Sequence, residues 1–160
     1  MKKFQISATL EVYDSVNGLP ENIQRLMTMA IDIRKKAYAP YSRFQVGAAL
    51  LLSNDVIVTG NNQENAAYPS GLCAERVAIY HAGAQYPKEE VSLMAITATS
   101  LDNPVTTPVP PCGACRQAIA EYEVKQAKSI EIYFMGEYGV VYKANSISDL
   151  LPLMFDGSQL

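Results

Sequence analysis

The fold class is decided by the stretch Gln45-Val46-Gly47-Ala48-Ala49-Leu50-Leu51-Leu52-Ser53-Asn54-Asp55-Val56-Ile57-Val58-Thr59. Its first part, residues 45–52, is a nearly continuous apolar run, which predicts a buried strand. Residues 53–55 are turn formers, and the β-branched residues 56–59 predict a hairpin partner for the first strand. The sequence therefore predicts a sheet in which these two strands are neighbours.

Helical patterns lie on both sides of this hairpin in the chain. Pro20 and Glu21 are typical of a first helical turn, and an apolar stripe continues at helical spacing through about Tyr38, where Ala39-Pro40 stops it. The stripe consists of Ile23, Leu26, Met27, Ala30, Ile31 and Ile33. Further helices are predicted over residues 73–84 and 112–124, with a short one between Ser146 and Pro152, and further strands over 92–99, 129–135 and 140–143.

The predicted order is α-β-β-α-β-α-β-β-α, preceded by an arm, residues 1–17, in which polar and apolar residues alternate at 4–7. Strands alternating with helices indicate a sheet covered on both faces, here a three-layer α/β/α sandwich with a mixed, roughly five-stranded sheet. A length of 160 residues suits a single domain spanning 1–160, with residues 153–160 as a tail. In such folds ligands bind where strand ends and helix N-termini meet.

The composition favours a small-molecule partner over a polynucleotide or a membrane. The chain has 16 acidic against 13 basic residues and a net charge of −3, whereas nucleic-acid-binding domains usually carry excess Lys and Arg. No apolar h-region follows the two N-terminal lysines, and no apolar stretch is long enough to span a membrane, so we expect a cytoplasmic protein. Three cysteines, an odd number in a small chain, indicate metal binding or catalysis rather than a disulfide framework.

The three cysteines occur in two short motifs, Cys73-Ala74-Glu75 and Pro111-Cys112-Gly113-Ala114-Cys115, each at the predicted start of a helix. Cys112 and Cys115 are one helical turn apart, so both thiols can face one point. Three protein ligands with a fourth position open are typical of a catalytic zinc site. The dipole at a helix N-terminus favours the thiolate form that metal ligation requires.

Two neighbours of Cys73 complete this hypothesis. Glu75 can place its carboxylate beside the open position without binding the metal, where it can take a proton from water and pass it on. Three thiolates leave a Zn²⁺ site with a net charge near −1, so a compensating donor is expected. We predict that the guanidinium of Arg76 donates to a ligating cysteine sulfur.

Two other readings of the cysteines remain open on spacing alone. A structural zinc site normally has four protein ligands, and the chain offers only three Cys and one His, His81, which lies more than two helical turns beyond Cys73 and is expected at the surface or in packing. A redox Cys-x-x-Cys pair would leave Cys73-Ala74-Glu75 unexplained.

With these cysteine motifs, the chain resembles the cytidine deaminase family, in its small, all-cysteine, homotetrameric branch. The resemblance runs from about residue 19 to residue 155 and rests on several motifs in the same order. They are Tyr41-Ser42-Arg43-Phe44-Gln45-Val46-Gly47-Ala48-Ala49, Gly60-Asn61-Asn62-Gln63-Glu64-Asn65-Ala66-Ala67-Tyr68, Cys73-Ala74-Glu75-Arg76, Pro111-Cys112-Gly113-Ala114-Cys115-Arg116-Gln117, and Leu150-Leu151-Pro152 with Phe155.

The resemblance implies one Zn²⁺ per chain, a cytidine-deaminase-like fold, and hydrolytic deamination of cytidine and deoxycytidine to uridine and deoxyuridine in pyrimidine salvage. It implies that Asn62 and Glu64 bind the ribose hydroxyls, and that Phe44 packs beside the pyrimidine. The backbone at Ala74, with Glu75, would read the base. Phe155 would cap the pocket of a neighbouring subunit, so that active sites are shared within a homotetramer.

Some residues depart from the family pattern or have no assigned role. Gln63 stands where the family usually has an aliphatic residue, and residues 68–72, Tyr-Pro-Ser-Gly-Leu, replace a commoner small polar loop. Arg116 and Gln117 are expected to form a helix-surface pair without a catalytic role. Two rivals are a deaminase of modified cytosine nucleosides, disfavoured by residues 62–65, and a polynucleotide-editing deaminase, disfavoured by the acidic balance. A rival from another class is a non-catalytic, zinc-stabilised binding module.

Overall fold

A computed structural model describes residues 1–160 and contains one mixed sheet with helices on both faces. The strands are β1 (Leu10–Tyr13), β2 (Phe44–Leu52), β3 (Ile57–Asn61), β4 (Val91–Ser100), β5 (Glu131–Met135) and β6 (Val141–Ala144). The helices are α1 (Glu21–Arg34), α2 (Ala74–Gln85) and α3 (Gly113–Gln126). The strand order is β1-β6-β5-β4-β2-β3; β4 and β5 run parallel and every other neighbouring pair is antiparallel.

Alternating side chains of β2 build a core on each face of the sheet, as the side-chain period of a strand requires. Ala48 and Leu50 belong to a cluster that includes Ile79 of α2 and Ile119 of α3. Ala49 faces the other way, into a cluster formed with the buried stripe of α1. The predicted three-layer α/β/α arrangement is confirmed, with α1 on one face and α2 and α3 on the other.

The strand count differs from the expected five, because the arm contributes a sixth strand. Residues 4–7, where alternation predicted a strand or arm, lie outside any element, and the strand forms at Leu10–Tyr13 instead. There it pairs with β6, and Lys143 Nζ lies 3.2 Å from Glu11 Oε1 across the pair. The sheet edge, not local alternation alone, decides where the arm becomes a strand.

Two helix ends also differ from the prediction. Helix α1 stops at Arg34 rather than near Tyr38, because the chain tightens into a turn and the backbone of Tyr38 then pairs with Asn62 O and Glu64 N. The short last helix is a single 3₁₀ turn, Ile147–Asp149, in which the Ser146 hydroxyl accepts from the N–H of Ser148. No helix is both long enough and apolar enough to span a membrane.

Candidate active site

Two of the three cysteines occupy the N-cap positions of helices. Cys73 caps α2 and Cys112 caps α3, and neither side chain accepts a capping hydrogen bond from the backbone N–H groups of its own helix. N-cap side chains normally satisfy the free N–H groups of the first turn. Here both sulfurs are instead directed at each other and at Cys115, which lies in the first turn of α3 and is fully buried.

A glycine allows α2 to lie close enough to the sheet to bring Cys73 to this point. Gly60 of β3 is packed so tightly against α2 that an added Cβ would lie 2.6 Å from both Ala74 O and Ala78 N. Only a residue without a side chain fits there. The start of α2, and with it Cys73 and Glu75, is therefore positioned by backbone packing on β3.

The three sulfurs fit a zinc ion. Cys73 Sγ lies 3.7 Å from Cys112 Sγ, Cys112 Sγ lies 3.5 Å from Cys115 Sγ, and all three ligand atoms lie within 4.8 Å of one another. Zn–S bonds of about 2.3 Å in a tetrahedron place sulfurs about 3.8 Å apart. Three thiolates form a zinc site with a fourth position available, as the sequence predicted.

The electrostatics around the sulfurs also suit a cation site. Hydrogen bonding with Cys115, aided by donation from Arg76, lowers the pKa of Cys73 to about 5. The same bond with Cys73, together with burial, raises the pKa of Cys115. Arg76 Nη2 lies 3.8 Å from Cys73 Sγ, which is the contact anticipated from the sequence, and this bond raises the pKa of the guanidinium.

Glu75 is buried beside the sulfurs, in the first turn of α2. Glu75 is only 4% exposed. This burial raises the pKa of its carboxyl group to about 7, and the charge of Cys73 contributes to the rise. A proton-transfer group works best when its pKa lies near the working pH. Glu75 is therefore suited to accept and return protons within the site.

Two of the three cysteines, Cys73 and Cys112, line one end of a cavity of about 730 Å³ together with Glu75, and this volume is typical of small-molecule sites. Cys73, Glu75, Arg76 and Cys112 line that end, and Val109 and Pro110 come from the loop before α3. The remaining lining residues come from the loop before β2 and the start of that strand, from the segment after β3, and from β4, which contributes Ile96. The cavity thus joins the zinc site to the polar loop residues singled out in the sequence.

Asn62 and Glu64 line the same cavity, and both side chains hold the segment that begins β2. Asn62 Oδ1 accepts from Val46 N at 2.8 Å, and its Nδ2 donates to Phe44 O at 2.9 Å. Glu64 Oε2 accepts from the N–H groups of Tyr41 at 2.9 Å and Ser42 at 3.2 Å. The Ser42 hydroxyl, followed by these N–H groups, holds the pKa of Glu64 below its usual range.

The other predicted site residues are spread between the cavity and the surface. Half-buried Phe44 lines the cavity, and Ala74 is fully buried at the first position of α2. Phe155 is 58% exposed and does not line the cavity of its own chain, and His81 is exposed. The roles assigned to Phe44, Ala74 and Phe155 stay predictions.

Sequence reasoning missed an aromatic pair at the cavity mouth. Tyr41 and Tyr68 meet edge to face with ring centroids 6.1 Å apart, and both line the cavity. The two tyrosines are far apart in sequence, and no local pattern signals their contact. The ten tyrosines in a chain without tryptophan were the only available hint.

Comparison with known proteins agrees with this site. Residues 20–130 match the family model for the cytidine and deoxycytidylate deaminase zinc-binding region. A cytidine deaminase of Halalkalibacterium halodurans is 39% identical over 137 residues, covering 86% of this chain and 96% of that protein. One from Sporosarcina psychrophila is 35% identical, covering 87% and 95%. The crystal structure of cytidine deaminase from Burkholderia pseudomallei has a TM-score of 0.68 at 36% identity, covering 82% of this chain and 98% of that one.

Proposed function

The chain belongs to the cytidine and deoxycytidylate deaminase family, and we propose that it hydrolytically deaminates cytidine and deoxycytidine to uridine and deoxyuridine in pyrimidine salvage. The observation that carries the proposal is the buried Glu75 carboxyl in the same cavity as the three-cysteine zinc site. A site with structural zinc alone has no need of a buried acid facing a cavity of about 730 Å³.

Bound zinc supplies a Lewis acid that activates water for attack on C4 of the cytosine ring. Glu75 would accept one proton from the water as it attacks and transfer it to the ring nitrogen N3. It would then accept the second proton, from the oxygen newly bonded to C4, and deliver it to the amino group, so that the C4 carbonyl forms as ammonia leaves. Its burial keeps bulk water from competing for these protons, and its raised pKa allows it to be reprotonated near neutral pH.

Substrate orientation comes from the other end of the cavity. Phe44 packs beside the pyrimidine, while at the zinc end the backbone at Ala74 reads the base together with Glu75. Glu64 uses only Oε2 for Tyr41 and Ser42, which leaves Oε1 for a ribose hydroxyl. Asn62 retains one N–H and one lone pair beyond its two bonds to β2, so the amide can serve the sugar as well.

The proposal includes a homotetramer of single-domain subunits acting in the cytoplasm, with Phe155 of each subunit capping the cavity of a neighbour. Its support is that Phe155 is 58% exposed and takes no part in its own cavity. Three free thiols also suit a reducing compartment.

The test is Glu75→Gln, which keeps size and hydrogen bonding but cannot carry the proton. We expect ammonia release from cytidine to fall on the order of a thousandfold while zinc stays near one per chain. Glu121→Gln, an exposed change on α3, is the matched control and should behave as wild type. Normal turnover by Glu75→Gln would refute the mechanism. Full zinc with no turnover of cytidine or deoxycytidine by wild type would support the binding-module rival.

A further inference from the structure

Arg116 bonds to two chain segments that are otherwise separate. It is half-buried in the first turn of α3, directly after the zinc ligand Cys115. Its Nε donates to Pro111 O at 2.8 Å, and its Nη1 donates to Leu150 O at 2.6 Å. The expected surface pair is therefore wrong for Arg116, because its donors are used on buried backbone.

The bond to Pro111 bears on the zinc ligand that follows it. Pro111 O belongs to the same planar peptide unit as Cys112 N, so holding this carbonyl fixes the plane from which Cys112 projects. Cys112 is the most exposed of the three ligands, and its side chain makes no capping hydrogen bond to the backbone of α3. The sulfur of Cys112 is restrained by the neighbouring sulfurs, and the peptide between Pro111 and Cys112 is restrained by the side chain of Arg116.

The second bond bears on the C-terminal tail. Leu150 is buried at the point where the chain leaves the 3₁₀ turn Ile147–Asp149 and continues toward Phe155. The next residue of α3, Gln117, donates from Nε2 to Phe155 O at 2.8 Å. Neighbouring residues of α3 thus fasten the chain at two places, at Leu150 just before the tail and at Phe155 within it.

We propose that Arg116 is a positioning residue that couples the zinc ligand Cys112 to the C-terminal tail through one guanidinium. Its planar fork serves two acceptors in fixed directions, which a lysine ammonium on a flexible stem does not reproduce. The part that concerns zinc is independent of the reaction, whereas the part that concerns the tail rests on the proposed function, in which the tail carries the capping residue Phe155.

The test compares zinc-loaded Arg116→Ala, Arg116→Lys and Gln117→Ala with wild type, using transfer of zinc to a chromogenic chelator. Losing a charge-assisted bond that holds a ligand peptide should speed zinc release about tenfold in Arg116→Ala. Arg116→Lys reaches one carbonyl and should give an intermediate rate. Gln117→Ala should release zinc as wild type does while raising KM for cytidine, since only the tail is freed.

Several results would overturn the proposal. Zinc release from folded Arg116→Ala within twofold of wild type would remove the link to Cys112. Equal acceleration in Gln117→Ala would show general loosening of α3 instead. If Arg116→Ala does not fold, Arg116→Lys decides alone, and a wild-type release rate would reject the role. Because zinc release needs no turnover, these outcomes are distinct from a failure of the Glu75 mechanism.

Discussion

The two ends of the cavity are built in opposite ways. At the zinc end, Cys73, Glu75 and Cys115 lie at helix starts, and Glu75 and Cys115 are buried against a packed core. At the opposite end, Tyr41 and Tyr68 are 49% and 76% exposed; Tyr41 lies in the loop before β2, and Tyr68 begins a single 3₁₀ turn, Tyr68–Ser70, in the segment after β3. The zinc end is held in place by helix packing, whereas the loop end is held by side chains that hydrogen-bond to backbone groups.

This difference follows from what each end has to do. Metal ligation tolerates deviations of only a few tenths of an ångström, so its ligands belong on rigid elements. Recognition of a sugar needs polar groups that face solvent before the ligand arrives, and loops supply them. Changes at the zinc end should therefore abolish chemistry, and changes at the loop end should weaken binding.

The largest effect is expected from Cys115→Ser at the zinc end. A hydroxyl is a poor zinc ligand beside two thiolates, so zinc should fall well below one per chain and ammonia release by on the order of a thousandfold. Elemental analysis and a turnover assay measure both. Full zinc content with normal turnover in Cys115→Ser would contradict this difference between the two ends, because the zinc end would then tolerate the loss of a ligand.

The next effect is expected at the loop end, from Glu64→Gln. The amide removes the charge that accepts from Tyr41 and Ser42, and KM for cytidine should rise about 10–100-fold with zinc content unchanged. Steady-state kinetics with cytidine and deoxycytidine measure it. A loss confined to cytidine would assign the carboxylate to the 2′-hydroxyl. An unchanged KM for both, or loss of zinc, would contradict the division between the two ends.

How well each end could be predicted from sequence follows the same division. Cys73, Cys112 and Cys115 are recognisable because the ligands lie at helix starts that local signals locate, and helix geometry brings positions 112 and 115 together. The layers were also predictable, because the apolar patterns of β2 and α1 state which faces are buried.

The loop end and the sheet edge depend on contacts between distant segments. Arg43, which lies between the cavity-lining residues Ser42 and Phe44, adopts a left-handed backbone with φ 53° and pairs with Asp102, 59 residues away, at 2.7 Å. No local rule places an arginine there. The position of β1 was missed for the same reason, since it is set by pairing with β6.

A moderate effect is expected from Gly60→Ala, which tests whether backbone packing fixes the zinc end. The new methyl group would meet α2 backbone at 2.6 Å and should destabilise the fold by about 1–3 kcal/mol. Gly113→Ala is the matched control, because a Cβ at Gly113 meets nothing within 4 Å. Thermal unfolding of the two zinc-loaded variants makes the comparison. Equal stability would mean that α2 is held by something other than its contact with β3.

The smallest effect is expected from Glu11→Gln on β1, far from both ends. Hydrogen bonding from Lys143, then from Tyr13, holds the pKa of Glu11 below its usual range. A lowered folded-state pKa means that the stabilisation is present above the unfolded pKa of about 4.5 and is lost as pH falls through the folded value. The midpoint of thermal unfolding should therefore drop slightly at pH 7, and the difference from wild type should vanish in acid.

Turnover and zinc content of Glu11→Gln should equal those of wild type, because β1 contacts neither the cysteines nor the cavity-lining loops. This makes the variant the reference for the other three, since it changes the sheet edge alone. A midpoint difference that persists once the carboxyl group is fully protonated would assign the effect to packing of β1 rather than to its charge. A change in KM for cytidine would mean that the N-terminal arm affects the cavity. Substrate binding would then depend on a third region of the molecule besides the zinc end and the loop end.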